Sequence, residues 1–114
     1  MYPDLTINVT SGNYLDFDDP TVETICASSW GDGTGITASQ AAAVTNANFG
    51  NTFKGNTTIT SFDELANFIS VTEINGYYGS EFEGGFYHCT ALTSIDLNNI
   101  TSVYRGGFHS CTSL

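Results

Sequence analysis

Two stretches of this 114-residue chain nearly repeat each other. Phe82-Glu83-Gly84-Gly85-Phe86-Tyr87-His88-Cys89-Thr90-Ala91-Leu92 is echoed by Tyr104-Arg105-Gly106-Gly107-Phe108-His109-Ser110-Cys111-Thr112-Ser113-Leu114. Phe86 and Phe108, Cys89 and Cys111, and Leu92 and Leu114 are each 22 residues apart. A fixed period in the twenties marks a stacked coil, in which each unit buries its apolar side against its neighbours. Val71-Thr72-Glu73-Ile74 aligns with Leu92-Thr93-Ser94-Ile95 at a spacing of 21, and Leu65 and Phe68 align with Phe86 and Cys89. The pattern therefore predicts a partial unit from about Ile59, full units from Val71 and Leu92, and a new unit opening at Leu114. Such folds mostly offer surfaces for binding, so recognition is expected before catalysis.

Charge narrows the partners. Two basic residues, Lys54 and Arg105, face twelve acidic ones, for a net charge of −10. Nucleic acid is excluded as a partner, because its binding rests on Lys and Arg neutralising phosphates. Anionic membranes are disfavoured for the same reason. No apolar run approaches the roughly 18 residues of a membrane span, so membrane insertion is not expected. Met1-Tyr2-Pro3-Asp4 lacks the basic-then-apolar pattern of a secretory signal. Three cysteines are an odd count and do not suggest a disulfide framework. Eight Phe and six Tyr predict an aromatic core.

Before the echo the chain reads differently. Leu5, Ile7 and Val9 alternate with Thr6, Asn8 and Thr10, the period of a half-buried strand. Ser11-Gly12-Asn13 reads as a turn, after which Tyr14-Leu15-Asp16-Phe17 either returns as a second strand or extends an arm onto another subunit. Asp19-Pro20 opens a helix with an Asp cap and Pro at the first helical position, and puts Val22, Ile25 and Cys26 on one face. Gly31-Asp32-Gly33-Thr34-Gly35 ends it. Thr37-Ala38-Ser39-Gln40 fits a capping box for a second helix through Ala41-Ala42-Ala43-Val44. Asn46 to Asn56 reads as a connector. Ser61-Phe62-Asp63-Glu64 is another capping box, for a short helical turn through Phe68.

Gly-Gly-Phe-x-x-Cys-Thr-x-Leu-Thr-Ser-Ile-x-Leu, from Gly84 to Leu97, resembles the BspA-like class of leucine-rich repeats, found in bacterial surface proteins and gut phages. Thr93 to Ile95, Thr101 to Val103 and Phe108 to Leu114 carry phrases of that class. The first half is similar to segments preceding such repeats, in which half a dockerin or EF-hand leads into an Ala-Ala-Ala-Val-Thr helix, here Ala41 to Thr45. The resemblance implies an α/β repeat fold: a short right-handed leucine-rich-repeat solenoid with parallel strands. An N-terminal β-arm or hairpin and a two-helix cap would precede it. The arm and cap would span residues 1–57, and the repeats 58–114. The family offers no catalytic residues to carry over.

An EF-hand register with Ile36 at position 8 puts Ser29, Gly31 and Gly33 at three ligand positions and leaves Asp32 as the one carboxylate, so the calcium site reads as degenerate. Neither a metal nor another cofactor is expected. Cys89 and Cys111 would sit on neighbouring turns about 5 Å apart, a separation that permits a disulfide; free thiols are expected, as at a small apolar ladder position. Cys26 is expected in the core. His88 and His109 would lie on adjacent turns without a third ligand, which does not make a zinc site. Carboxylate pairs drawn from Asp16, Asp18, Asp19, Glu81 and Glu83 have nothing fixing their separation, so no catalytic residue is assigned. Glu83 and Arg105 are equivalent in the echo and form an expected cross-turn pair. With Tyr77, Tyr78, Tyr87 and Tyr104 they make the candidate binding set, because tyrosines stack on sugars and anchor protein interfaces.

The expected function is thus a non-enzymatic binding or adhesion module, displayed on a bacterial surface or virion and recognising protein or glycan. The alternative is a structural or anchoring component of a bacteriophage virion, docked on neighbouring subunits. Oligomers would then form through the arm, Leu5 to Val9, or through an open C-terminal repeat.

Overall fold

The computed structural model describes residues 13–74, 84–104 and 106–114. Asp19 leaves an extended segment, and its carboxylate accepts the Thr21 N–H at 2.8 Å. Pro20 then opens α1 (Pro20–Trp30), where its missing N–H has no intrahelical partner to lose. Val22, Cys26 and Ala27 are buried, and Ile25 and Trp30 pack against the core. Gly31 ends the helix, donating to the Cys26 and Ala27 carbonyls. A side chain there would strike the Gly35 carbonyl oxygen at 2.1 Å, so the loop closes tightly because this residue has none.

Thr37 begins α2 (Ala38–Ala42) with both arms of a capping box. The Gln40 N–H donates to Thr37 Oγ1 at 3.1 Å, and the Thr37 N–H donates to Gln40 Oε1 at 2.9 Å. A one-turn helix, α3 (Asn46–Phe49), follows, with Thr45 as its cap. The expected connector is therefore partly helical and central to packing. Its Asn, Gly and Thr residues describe its wet side, whereas Phe49 and Phe53, four residues apart, are both buried.

β1 (Ser61–Phe62) runs into a 3₁₀ helix, Asp63–Asn67. The expected capping box at Ser61 does not form, because Ser61 is committed to β1 and no side chain caps this helix. β2 (Glu73–Ile74), β3 (Ser94–Ile95) and β4 (Ser102–Val103) complete the elements. β1 pairs with β3 in parallel, Ser61 opposite Ser94 and Phe62 opposite Ile95. β2 pairs with β4 in parallel, Glu73 opposite Ser102 and Ile74 opposite Val103.

This corrects the expected solenoid. The described residues form a small globule of three helices and two separate two-stranded parallel sheets, with no continuous ladder and no evident repeat architecture. A solenoid needs each unit to hand its strand to the next. Here each strand is two residues long, and among the described residues the pairs β1–β3 and β2–β4 share no strand. Within the unit opening at Leu92, that residue is buried, but Leu97, at the third apolar position of the pattern, is exposed. Of the expected hairpin or arm, only the part from Asn13 onward is described. Tyr14 makes one antiparallel bridge to Thr37, and the Leu15 N–H donates to the Ile36 carbonyl at 2.8 Å, with no second strand through Phe17. The segment Leu5 to Val9 lies outside the described residues.

The core is one apolar cluster running from Val22 to Leu92, so it draws on both sides of residue 57. Aromatic rings dominate it. Phe62 meets Phe53 at 5.1 Å and crosses Phe68 edge-on at 5.6 Å, while Trp30 stacks on Phe49 at 5.7 Å. Offset and edge-to-face pairs of this kind add about 0.5–1.5 kcal/mol each beyond area burial. Two polar clamps fix the surrounding elements. Asp19 Oδ2 accepts the Thr60 N–H at 2.6 Å and the Thr60 hydroxyl at 3.2 Å, joining the start of α1 to β1. Asn46 Oδ1 accepts the Thr72 and Glu73 N–H groups, joining α3 to β2.

Candidate functional site

Three short turns lie side by side at one place in the molecule: Phe53-Lys54-Gly55, Phe86-Tyr87-His88 and Phe108-His109-Ser110. The ring of Phe86 stacks on Phe53 at 5.4 Å and on Phe108 at 5.4 Å, the latter pair within 5° of parallel. Backbone bonds lock the turns together. The Gly55 N–H donates to the Tyr87 carbonyl, the His88 N–H to the His109 carbonyl, and the Phe86 N–H to the Gly107 carbonyl, each at 2.7 Å. The residue two after each Phe adopts a left-handed backbone: Gly55 at φ 75°, His88 at 64° and Ser110 at 67°.

The residues that follow the phenylalanines face outward. Tyr87, half-buried, lies flat on His109 at 5.3 Å and 10°, and its ring also meets His88 at 5.7 Å. The Ser110 hydroxyl sits 3.0 Å from His109 Nδ1. His88 and His109 are exposed. The structure thus brings the two histidines together around a tyrosine, with Tyr87 on His109 as their equivalence in the 22-residue echo places them.

Of the candidate binding set, Tyr77, Tyr78, Glu83 and Arg105 lie outside the described residues. Tyr87 is in the stack just described. Tyr104 directly follows β4 and is 46% exposed, beside Val103 at 51%.

The cysteines are structural in their contacts. Cys89 Sγ donates to the Phe53 carbonyl and Cys111 Sγ to the Phe86 carbonyl, both at 3.1 Å, and all three thiols are free. Burial, with the neighbouring Cys111, pushes the Cys89 thiol up to about 12. Burial and then the Glu64 charge push Cys26 well above the usual thiol range, and burial raises Cys111. Thiols held protonated in this way are poor nucleophiles.

The carboxylates that depart from ordinary behaviour are also engaged with their own fold. Burial would raise the Asp19 carboxyl, but hydrogen bonds from Thr60, Thr21 and Ser61 hold it below the usual range. Asp32 is lowered by the Tyr14 hydroxyl and then by the Gly35 and Thr34 N–H groups, which bond its Oδ1. The same contact raises Tyr14. Asp32, the one carboxylate of the degenerate calcium window, therefore closes its own loop. Among the described residues no three His, Cys, Asp or Glu side chains are arranged to hold a metal ion. Likewise, no described helix is long and apolar enough to cross a membrane.

No protein family, curated protein or solved structure matches the chain. The site must be read from its own chemistry.

Lys54 and Phe53 escaped the sequence reading. Their turn precedes Phe86 by 33 residues, not 22, and lies in a stretch whose composition reads as a connector. The short Phe-x-left-handed pattern was the available signal, Gly55 being its clearest mark.

Proposed function

We propose that this chain is a non-enzymatic recognition module for a protein or glycan, displayed on a bacterial surface or a virion. The observation that carries the reading is the outward presentation of aromatic and apolar side chains next to the short sheets. Val103 and Tyr104 are about half exposed at β4, and Tyr87 and His109 form an accessible ring pair. Aromatic groups held on rigid backbone bind with little loss of side-chain freedom, which suits recognition. A binding role also agrees with the structural engagement of Asp19, Asp32 and the three thiols described above.

The test is binding of the fluorescently labelled chain to intact bacterial cells. Saturable binding that falls about tenfold in the Val103→Ser/Tyr104→Ser double variant is expected, the loss typical of removing an aromatic anchor. Absence of binding, or equal binding by the variant, would overturn the reading.

A structural role in a virion is the second reading, favoured by β4. Among the described residues this strand pairs only with β2, which leaves its other edge and Val103 open to a neighbouring subunit. Light scattering at virion-like protein concentrations separates the two. A stable monomer counts against anchoring, and a defined oligomer favours it.

A further inference from the structure

Among the described residues the later segment of each column lies outermost. β4 pairs on one edge of β2, and the Phe108 turn lies on the Phe86 turn, which lies on the Phe53 turn. β4 and the Phe108 turn form one end of the molecule. The Gly107 N–H donates to the Tyr104 carbonyl at 2.9 Å, and Gly107 sits against Ile74 of β2.

Hydrogen bonding at this edge comes down to one residue. Along a paired strand, successive residues turn their N–H and C=O groups to opposite edges. The Ser102 and Tyr104 N–H groups reach the Thr72 and Ile74 carbonyls on the β2 side, at 3.3 and 2.9 Å. Val103, between them, therefore turns both its N–H and its C=O to the other edge, where no described residue pairs with β4.

Exposed apolar groups collect at the same end. Val103 and Tyr104 are exposed, and so is Leu114, whose N–H donates to the Cys111 carbonyl. Phe108 is partly buried, and no described ring covers the face it turns away from Phe86. Two copies of a chain with a net charge of −10 repel each other. Residues 97–114 contain no Asp or Glu, so this segment adds no carboxylate to a contact between copies. Glu73 stands one strand back, on β2.

A single outward residue favours its own copy as partner. In an antiparallel pair, two residues directly opposite each other exchange both N–H···O bonds. A two-fold axis beside Val103 sets it opposite itself, which satisfies both N–H and both C=O groups without calling on the flanking residues. The two Val103 side chains then lie together, each covering what the other leaves exposed. We propose that β4 pairs antiparallel with β4 of a second copy, Val103 opposite Val103, to form a two-fold dimer. This rests on the structural reading above and names the neighbouring subunit.

Sedimentation of the full chain over a range of concentrations should show a reversible monomer–dimer equilibrium. Val103→Lys, which sets like charges opposite each other, should weaken it about tenfold or more, with the folded circular-dichroism spectrum kept. Register is read by crosslinking in a Cys111→Ser background, where the serine hydroxyl can still donate to the Phe86 carbonyl. In a glutathione redox buffer, Val103→Cys should give a disulfide-linked dimer, each bond formed reducing one glutathione disulfide to two thiols. Opposed residues of an antiparallel pair have Cα atoms about 5.5 Å apart, within disulfide reach. Ile69→Cys, at a site that is also exposed but not on β4, should stay unlinked.

A chain that remains monomeric throughout overturns the dimer and counts against the anchoring role as well. A dimer that Val103→Lys leaves intact, or that links equally through residue 69, sinks this interface while the anchoring role stands. A monomer that binds cells through Val103 also overturns it, and gives the edge to a foreign partner.

Discussion

The start of α1 and the stack of turns are held by opposite kinds of force. Around Asp19, one buried carboxylate gathers the Thr21 N–H, the Thr60 N–H and the Thr60 hydroxyl, one local bond and two from a segment 41 residues away. In the stack, Phe53, Phe86 and Phe108 meet face to face, and any comparable ring would serve at each position. A directional clamp is lost when one atom changes. A stack weakens by degrees, according to how many faces a ring covers. The clamp should thus respond to charge and pH, and the stack to volume and position.

The largest effect tests position within the stack. Phe86 contacts Phe49, Phe53, Phe62 and Phe108, with centroids 5.4–6.2 Å away, and is fully buried. Phe86→Ala should cost about 4 kcal/mol. Phe108, partly buried at the outer end, should cost roughly half of that on the same substitution. Urea unfolding of both variants checks it, and equal losses would break the idea of a graded stack.

Next comes the clamp. Asp19→Asn should cost about 2 kcal/mol at neutral pH, since the cap survives in part while the charge-assisted bonds are lost. The folded carboxyl titrates below its ordinary value of 3.8, so its contribution is full above that value and is lost as pH falls through the folded one. The gap between wild type and variant should therefore close in acid. A gap that stays constant down to pH 2 would show that the charge of Asp19 is not what holds α1 to β1.

The smallest effect sharpens the comparison at the turns. A left-handed residue other than glycine costs about 1–2 kcal/mol, part of which glycine returns through its freer unfolded chain. His88→Gly should therefore stabilise by less than about 1 kcal/mol, and Gly55→Ala should destabilise by about 1 kcal/mol. Space is no obstacle at Gly55, since an added Cβ would meet nothing within 4 Å. Thermal melts that move in the same direction for both substitutions would contradict the shared conformation of the turns.

Legibility followed the range of the interactions. Asp19-Pro20 and Thr37-x-x-Gln40 were readable because a cap is settled within four residues, and both helices begin where those residues place them. Ser61-x-x-Glu64 has the same pattern but lies in β1, whose pairing with β3 depends on residues more than thirty positions away. The echo at Phe86 and Phe108 indicated a solenoid. Ring stacking is met by two neighbouring turns alone, however, and does not require the strands to continue. Lys54 was hidden because its turn is spaced differently from the other two, and nothing local to residues 46–56 reveals what lies beside them.

By itself, the sequence determined the acidity, the aromatic character of the core, and the starts of α1 and α2. These follow from composition and from contacts within a turn of helix. Tertiary structure alone decided that Phe53 joins Phe86 and Phe108, that the strands form two separate pairs, and that the turn holding Lys54 lies beside those holding the two histidines. Each of these depends on which distant segments pack together, and burial of apolar rings rewards many such pairings about equally until the whole chain is in place.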